Sequence, residues 1–308
     1  MFARYCPLAL APLFFFACEE DGTTTPTETQ DYAPCMAAER VGGFSVVLDD
    51  GYTAVDGRVA SGVVPSSIRD ETASAGGCRL VEGRSLSCTP ACSSDQTCDV
   101  GNVCIPYPTA ASVGVVTVDG LTAPLSMSPT SVGSYTNGAT TLPHPAASVG
   151  SVVTLTAPGE VLPGFTLTTR GVEAIAVDQT GVALVRDQAF VVTWTPGTES
   201  SARVRMVLDL AHHGSVAASL DCDGLDDDGS FEVPASMVTR LIDIGVAGFP
   251  TLTVTRRTAA KTAIAQGCVD LTVQSSVVLP VTVDGVTSCV EDEECDNGET
   301  CQGDLTCG

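Results

Sequence analysis

The densest chemistry in this chain lies in Asp221-Cys222-Asp223-Gly224-Leu225-Asp226-Asp227-Asp228-Gly229-Ser230, which sets five aspartates among eight consecutive positions. Oxygen-rich runs of this kind bind Ca²⁺, so Asp221, Asp223, Asp226 and Asp228 are the metal-ligand candidates and Ca²⁺ is the one candidate ion. The EF-hand pattern is not met, and Cys222 stands where a free loop residue is needed. A hairpin turn at Asp227-Asp228-Gly229, between Leu220 and Phe231, explains the same residues more simply. No cofactor is expected.

The other polar candidates are sparse. Asp209, His212 and His213 could be metal ligands, but adjacent histidines at a strand end point to opposite sides. A surface loop accounts for them. His144 is the only other histidine. Glu160, Glu173 and Asp178 could pair as glycosidase carboxylates, though nothing in their spacing requires it. The chain has no G-x-S-x-G elbow, P-loop or G-x-G-x-x-G turn, so no local catalytic or nucleotide-binding motif is present. A triad assembled in space around His144, His212 or His213 stays open. Trp194 lies in an apolar strand and reads as core rather than as a sugar platform.

Chemistry of this kind must be carried on strands. Val, Thr, Ala, Ser and Gly dominate the 308 residues, which points to an all-β protein. Ala202-Arg203-Val204-Arg205-Met206-Val207-Leu208 alternates strictly, with Arg203 and Arg205 on a wet face and Val204, Met206 and Leu208 on a buried one. Other strands are predicted at 43–48, with a turn at Asp49-Asp50-Gly51, and across 112–118, 149–157, 164–170, 189–194, 251–256 and 270–279. One helix is predicted over 234–243, with Pro234 in its first turn. Short strands at this spacing predict an antiparallel β-sandwich, jelly-roll or Ig-like, over residues 109–285. A small β region at 35–87 either stands apart or adds strands to the same sandwich.

Acidic residues outnumber basic ones 37 to 14, for a net charge of −23. That balance disfavours nucleic acid and anionic membrane surfaces and predicts no basic binding face. Lys261 is the only lysine, so the other thirteen basic residues are arginine.

Fourteen cysteines punctuate the chain. Residues 88–108 and 286–308 each hold four, and Cys88, Cys92, Cys98 and Cys104 align with Cys289, Cys295, Cys301 and Cys307. Units this small need cross-links in place of a core. Zinc favours a tighter C-x2-C spacing, so disulfides are expected. Of three pairings in each unit, Cys88-Cys98 with Cys92-Cys104 and Cys289-Cys301 with Cys295-Cys307 are preferred. Elsewhere, bracketing in the sequence predicts Cys35-Cys78 and Cys222-Cys268.

The first residues, Arg4 and then an apolar run to Ala17, are too short to span a bilayer and fit a signal peptide over 1–17. Phe15-Phe16-Ala17-Cys18 resembles the end of a bacterial lipoprotein signal. The resemblance implies a lipid on Cys18, an anchor in the outer membrane or at the cell surface, and an oxidising compartment. Residues 18–34, acidic and Thr/Pro-rich, read as a disordered tether. The paired cysteine units resemble short EGF-like or Dickkopf-like repeats, and the overall make-up is similar to surface lipoproteins of myxobacteria. The expected role is structural or binding, not enzymatic, with an unknown protein or glycan as ligand. A secreted-type hydrolase and a Ca²⁺-dependent adhesion module are the alternatives.

Overall fold

The structure, a computed structural model, describes residues 31–84, 86–138, 140–211, 218–296 and 298–308. The signal, Cys18 and most of the tether lie outside the described residues, as do His212 and His213. No helix among the described residues is long and apolar enough to cross a membrane.

The chain is mainly β, a sandwich whose largest element is one long sheet. It opens with a hairpin, β1 (Arg40–Asp49) and β2 (Tyr52–Val59), closed by Asp50-Gly51 with Gly51 at φ +79°. A second hairpin follows, β3 (Arg69–Ala75) and β4 (Cys78–Gly83). The first cysteine-rich unit contributes the short pair β5 (Gln96–Cys98) and β6 (Cys104–Pro106). Then come β7 (Val116–Asp119), β8 (Leu125–Met127), β9 (Ser134–Thr136), β10 (Val152–Gly159) and β11 (Pro163–Arg170). The remaining elements are β12 (Val182–Leu184), β13 (Phe190–Thr193), β14 (Arg203–Asp209), β15 (Ala218–Leu225), β16 (Ser230–Val233), helix α1 (Ala235–Ile244), β17 (Thr251–Ile264) and β18 (Gly267–Val283).

The long sheet runs β3-β4-β15-β14-β17-β18-β1-β2-β9, with β12 pairing the far end of β18. Residues 35–87 are therefore not a separate module: their strands form both flanks of the sheet whose centre comes from the chain's second half. Most pairings are antiparallel, as expected. Two are not, because β1 and β12 each run parallel to β18. Alternating patterns fix which face a side chain takes but not which strand lies next door.

The long strands β17 and β18 serve two cores. On one side of β17, Leu252, Val254, Arg256, Thr258 and Ala260 follow one another at the two-residue period of a strand. Ala260 belongs to a core built with β1, β2 and the sheet β11-β10-β7-β8, which packs face to face on this half. Leu252 and Val254 belong to a second core, covered by α1 and the β13–β16 pair. The helix closes it with Met237, Val238 and Leu241, and Trp194 is buried there. Between the two cores lie Arg256 and its cross-strand partner Ser275.

Two expected disulfides are corrected. Cys35 pairs with Cys268 and Cys78 with Cys222, in place of Cys35-Cys78 and Cys222-Cys268. The reason is topological. Parallel pairing of β1 with β18 sets Arg40 opposite Cys268, which brings Cys35 alongside. Antiparallel pairing of β4 with β15 sets Cys78 directly opposite Cys222. Both bonds close loops of more than a hundred residues, which bracketing in the sequence cannot reveal. Within the small units the bonds are Cys88–Cys98 and Cys92–Cys104, then Cys289–Cys301 and Cys295–Cys307.

Candidate functional site

The second face of the long sheet is polar. Where the core face carries Phe44, Val204, Cys78 and Leu220, the other carries Ser45, Arg205, Arg79 and Asp221. This polar face is concave. Residues of β1 and β2 near one end of the strand order, and of β3 and β4 at the other, line a single trough of about 810 Å³. In a flat sheet β2 and β3 would lie roughly 34 Å apart. The link between them, residues 60–68, includes a helical turn at Pro65–Ser67, so it can join them only if the sheet curls.

Irregular pairing assists the curl. The register shifts between Arg40 and Gly42, between Val204 and Met206, and between Glu71 and Ala73. Bulges bend a strand and re-aim its side chains. Arg40, Arg205 and Glu71, one at each irregularity, all line the trough.

Five arginines face this trough: Arg40, Arg69, Arg79, Arg205 and Arg257. Five carboxylates line it as well, Asp56, Glu71, Asp221, Asp223 and Asp270, so the cations are matched in number. Acids partner the cations in a layered way. Asp221 takes Arg205 through two bonds, Nε at 2.8 Å and Nη2 at 3.1 Å, and also takes Arg79 Nη2 at 3.1 Å. Asp270 takes Nε of Arg40 at 3.1 Å and Nη2 at 3.0 Å. Asp223 takes Arg257 Nη2 at 2.7 Å. The carboxylates lie deep and the guanidiniums lie above them. Arg40 and Arg79 are 49% and 48% exposed, whereas Asp270 and Asp221 are 6% and 10% exposed. Buried acids thus hold the half-exposed guanidiniums of Arg40 and Arg79 in fixed orientations, while the exposed carboxylates of Asp56 and Glu71 line the same trough.

Tyr32 closes one end of the trough. Its hydroxyl donates to Asp223 at 2.6 Å, and its ring lies 5.5 Å from the Arg257 guanidinium. Ala33 N–H donates to Ala259, so the chain joins the fold before Cys35, earlier than the expected tether boundary at 34. Burial pushes the Tyr32 phenol well above its ordinary pKa, with Arg257 pulling it down and Asp223 pushing it up, so it stays protonated. For Asp223, burial would raise the pKa, but Arg257 and the Tyr32 hydroxyl hold it below the usual carboxylate range. Arg205 is affected in the opposite sense: burial works against its charge, and Asp221 outweighs that and raises its pKa.

The aspartate run does not converge on an ion. Asp221 and Asp223 face the trough, bound to arginines. Asp226 lies 3.7 Å from Arg203, and Asp228 accepts from Ser230 N–H. Nor is 226–229 a hairpin turn, because β15 belongs to the long sheet and β16 pairs with β13. The segment crosses between sheets and drops Asp227 into the core seam. There Asp227 accepts Arg256 Nε at 2.6 Å, Arg256 Nη2 at 3.0 Å and Trp194 Nε1 at 2.7 Å. Among the described residues, the groups of ligand atoms close enough to share an ion are cysteine triplets already held in disulfides.

The other sequence candidates stay apart. His144 Nδ1 lies 3.2 Å from Thr53 Oγ1, which also accepts from Ala146 N–H and ties that loop to β2. Glu160 accepts from Ser112, and Glu173 from Thr198, on separate loops. Asp178 contributes a backbone N–H bond to Thr193. The sequence had named Arg205 as a wet-face residue but had not gathered the arginines. The available signal was the near-exclusive use of arginine over lysine, since a planar fork holds its geometry against a carboxylate where an ammonium does not.

No family model and no curated protein matches this chain. Among solved structures, the chicken CNTN1 FN1–FN3 domains are similar at 10% identity over 70% of this chain and 71% of that one, with a TM-score of 0.19. At that score the likeness carries no argument.

Proposed function

We propose that this protein is a lipid-anchored component of a bacterial cell envelope, acylated at Cys18, which uses the polar trough to hold a protein or glycan ligand. The observation that carries the binding role is the trough itself, a concave face whose half-exposed guanidiniums are fixed by buried carboxylates. Fixed donors on a rigid sheet cost little ordering on binding, which favours recognition. The six disulfides support an oxidising compartment outside the cytoplasm. The lipid rests on the resemblance of Phe15-Phe16-Ala17-Cys18 to a lipoprotein signal.

The anchor is tested by intact mass and membrane fractionation of the protein expressed in a Gram-negative host. The expected result is a mature chain starting at Cys18, carrying acyl mass and sedimenting with membranes, and a Cys18→Ser variant without that mass. A mature chain without lipid, cut after the small-x-small site Ala9-Leu10-Ala11 so that it starts at Pro12, would contradict the proposal.

A further inference from the structure

We infer that the trough takes an acidic oligosaccharide, a short run of sugars bearing carboxylates. This inference rests on the trough being the binding face.

The charge pattern comes first. A guanidinium carries five N–H donors, and Arg40 and Arg79 line the trough half-exposed, with Asp56 and Glu71 as the exposed acids of the same lining. A planar fork of N–H donors matches a carboxylate in a two-bond geometry. Arg257 adds a second sign. Its Nε is buried and has no hydrogen-bond partner. A buried donor left without an acceptor is costly and marks where an acceptor belongs.

Between the arginines the floor is made of Ser45, Thr272 and Gln274. Hydroxyls and an amide can both donate and accept, which suits the hydroxyls of a sugar. A peptide strand would find a free edge only at β3 among the trough-lining strands, because those from β4 to β2 are paired on both sides. The volume of about 810 Å³ falls within the range of small-ligand sites, about 300–1,000 Å³.

The overall charge of −23 repels anions at a distance. Screening over about 8 Å at physiological salt confines that repulsion, and recognition becomes a contact event.

The test is calorimetry on the full chain in detergent, at physiological salt, titrated with trigalacturonate, with maltotriose and with a tri-glutamate peptide. Trigalacturonate is expected to bind, and the other two at least about tenfold more weakly. Arg79→Gln should weaken trigalacturonate about tenfold while leaving the melting temperature unchanged, because Asp221 keeps both bonds from Arg205. Arg79→Lys, which keeps charge but loses the fork, should also bind more weakly than wild type. No binding of trigalacturonate would overturn the inference. So would equal binding of maltotriose or tri-glutamate, or wild-type affinity in both Arg79 variants. The anchor is read separately: a lipidated, membrane-bound protein that ignores trigalacturonate loses the ligand class alone, and an unlipidated one that binds it loses the anchor alone.

Discussion

Arg256 and Arg257 are neighbours in sequence and point to opposite faces of β17. Arg256 is 2% exposed and sealed. It donates to both Asp227 oxygens, to Ala174 O at 3.0 Å and to Thr195 O at 2.5 Å, and Trp194 caps the same carboxylate. Gly197 completes the seal, since a Cβ there would stand 2.5 Å from Asp227 Oδ2 and 2.8 Å from Arg256 Nε. Arg257 is 11% exposed, shares Asp223 with Tyr32 and keeps a buried Nε without a partner, although its residue lines the trough. One arginine has its hydrogen bonds met by the fold and fixes two loops across the seam between the cores. The other has a vacancy for an acceptor. Burial of a charge alone therefore does not mark a binding site; the state of its donors separates structural from receptive cations.

The largest expected effect is on the sealed side. Removing one partner of a buried ion pair leaves a charge uncompensated, so Asp227→Ala should cost about 3–5 kcal/mol in urea unfolding. The acid dependence has a definite sign. Burial would raise the Asp227 pKa, but bonds from Arg256 and Trp194 hold it below its ordinary value. A depressed folded pKa contributes stability that is full above the unfolded value, near 4, and is lost as pH falls through the lower folded value. The wild type should lose stability over that acid range, and Asp227→Ala should show a shallower loss in melting temperature against pH.

Next in size is the staple beneath the trough. Cys78→Ala with Cys222→Ala should cost about 3 kcal/mol, measured by the same unfolding, because it frees a closed loop of 144 residues of sequence separation. On the receptive side the effects are small. Tyr32→Phe should cost about 1 kcal/mol, the loss of one charge-assisted hydrogen bond to Asp223. Arg79→Gln should change stability by less than about 1 kcal/mol, as for other exposed ion pairs. A large loss for Arg79→Gln, or none for Asp227→Ala, would break the contrast between the two faces.

The pattern of strands was legible and their neighbours were not. Alternation at 202–208 assigned Arg203 and Arg205 to the wet face, and the helix predicted at 234–243 is found at Ala235–Ile244. Sequence alone places a strand at 251–256. In the structure β17 runs on to Ile264, and the apolar period passes through Arg256 without a break. The trough was hidden for a related reason. It forms where strands from residues 40–83 and 203–283 meet, and only tertiary pairing brings Arg79 against Asp221 or Arg40 against Asp270. Asp227 shows the limit of local logic most sharply: turn chemistry explained it fully, and a long-range partner claimed it.

The most direct test of the receptive face is to watch the Nε–H resonances of ¹⁵N-arginine-labelled protein while trigalacturonate is added. Arg256 and Arg257 report on the two faces from adjacent positions on one strand. The prediction is that Arg257 Nε–H and Arg79 Nε–H shift with the ligand, while Arg256 Nε–H, its donors already met, stays fixed. A titration that moves Arg256, or that leaves Arg257 and Arg79 unmoved, would contradict the account.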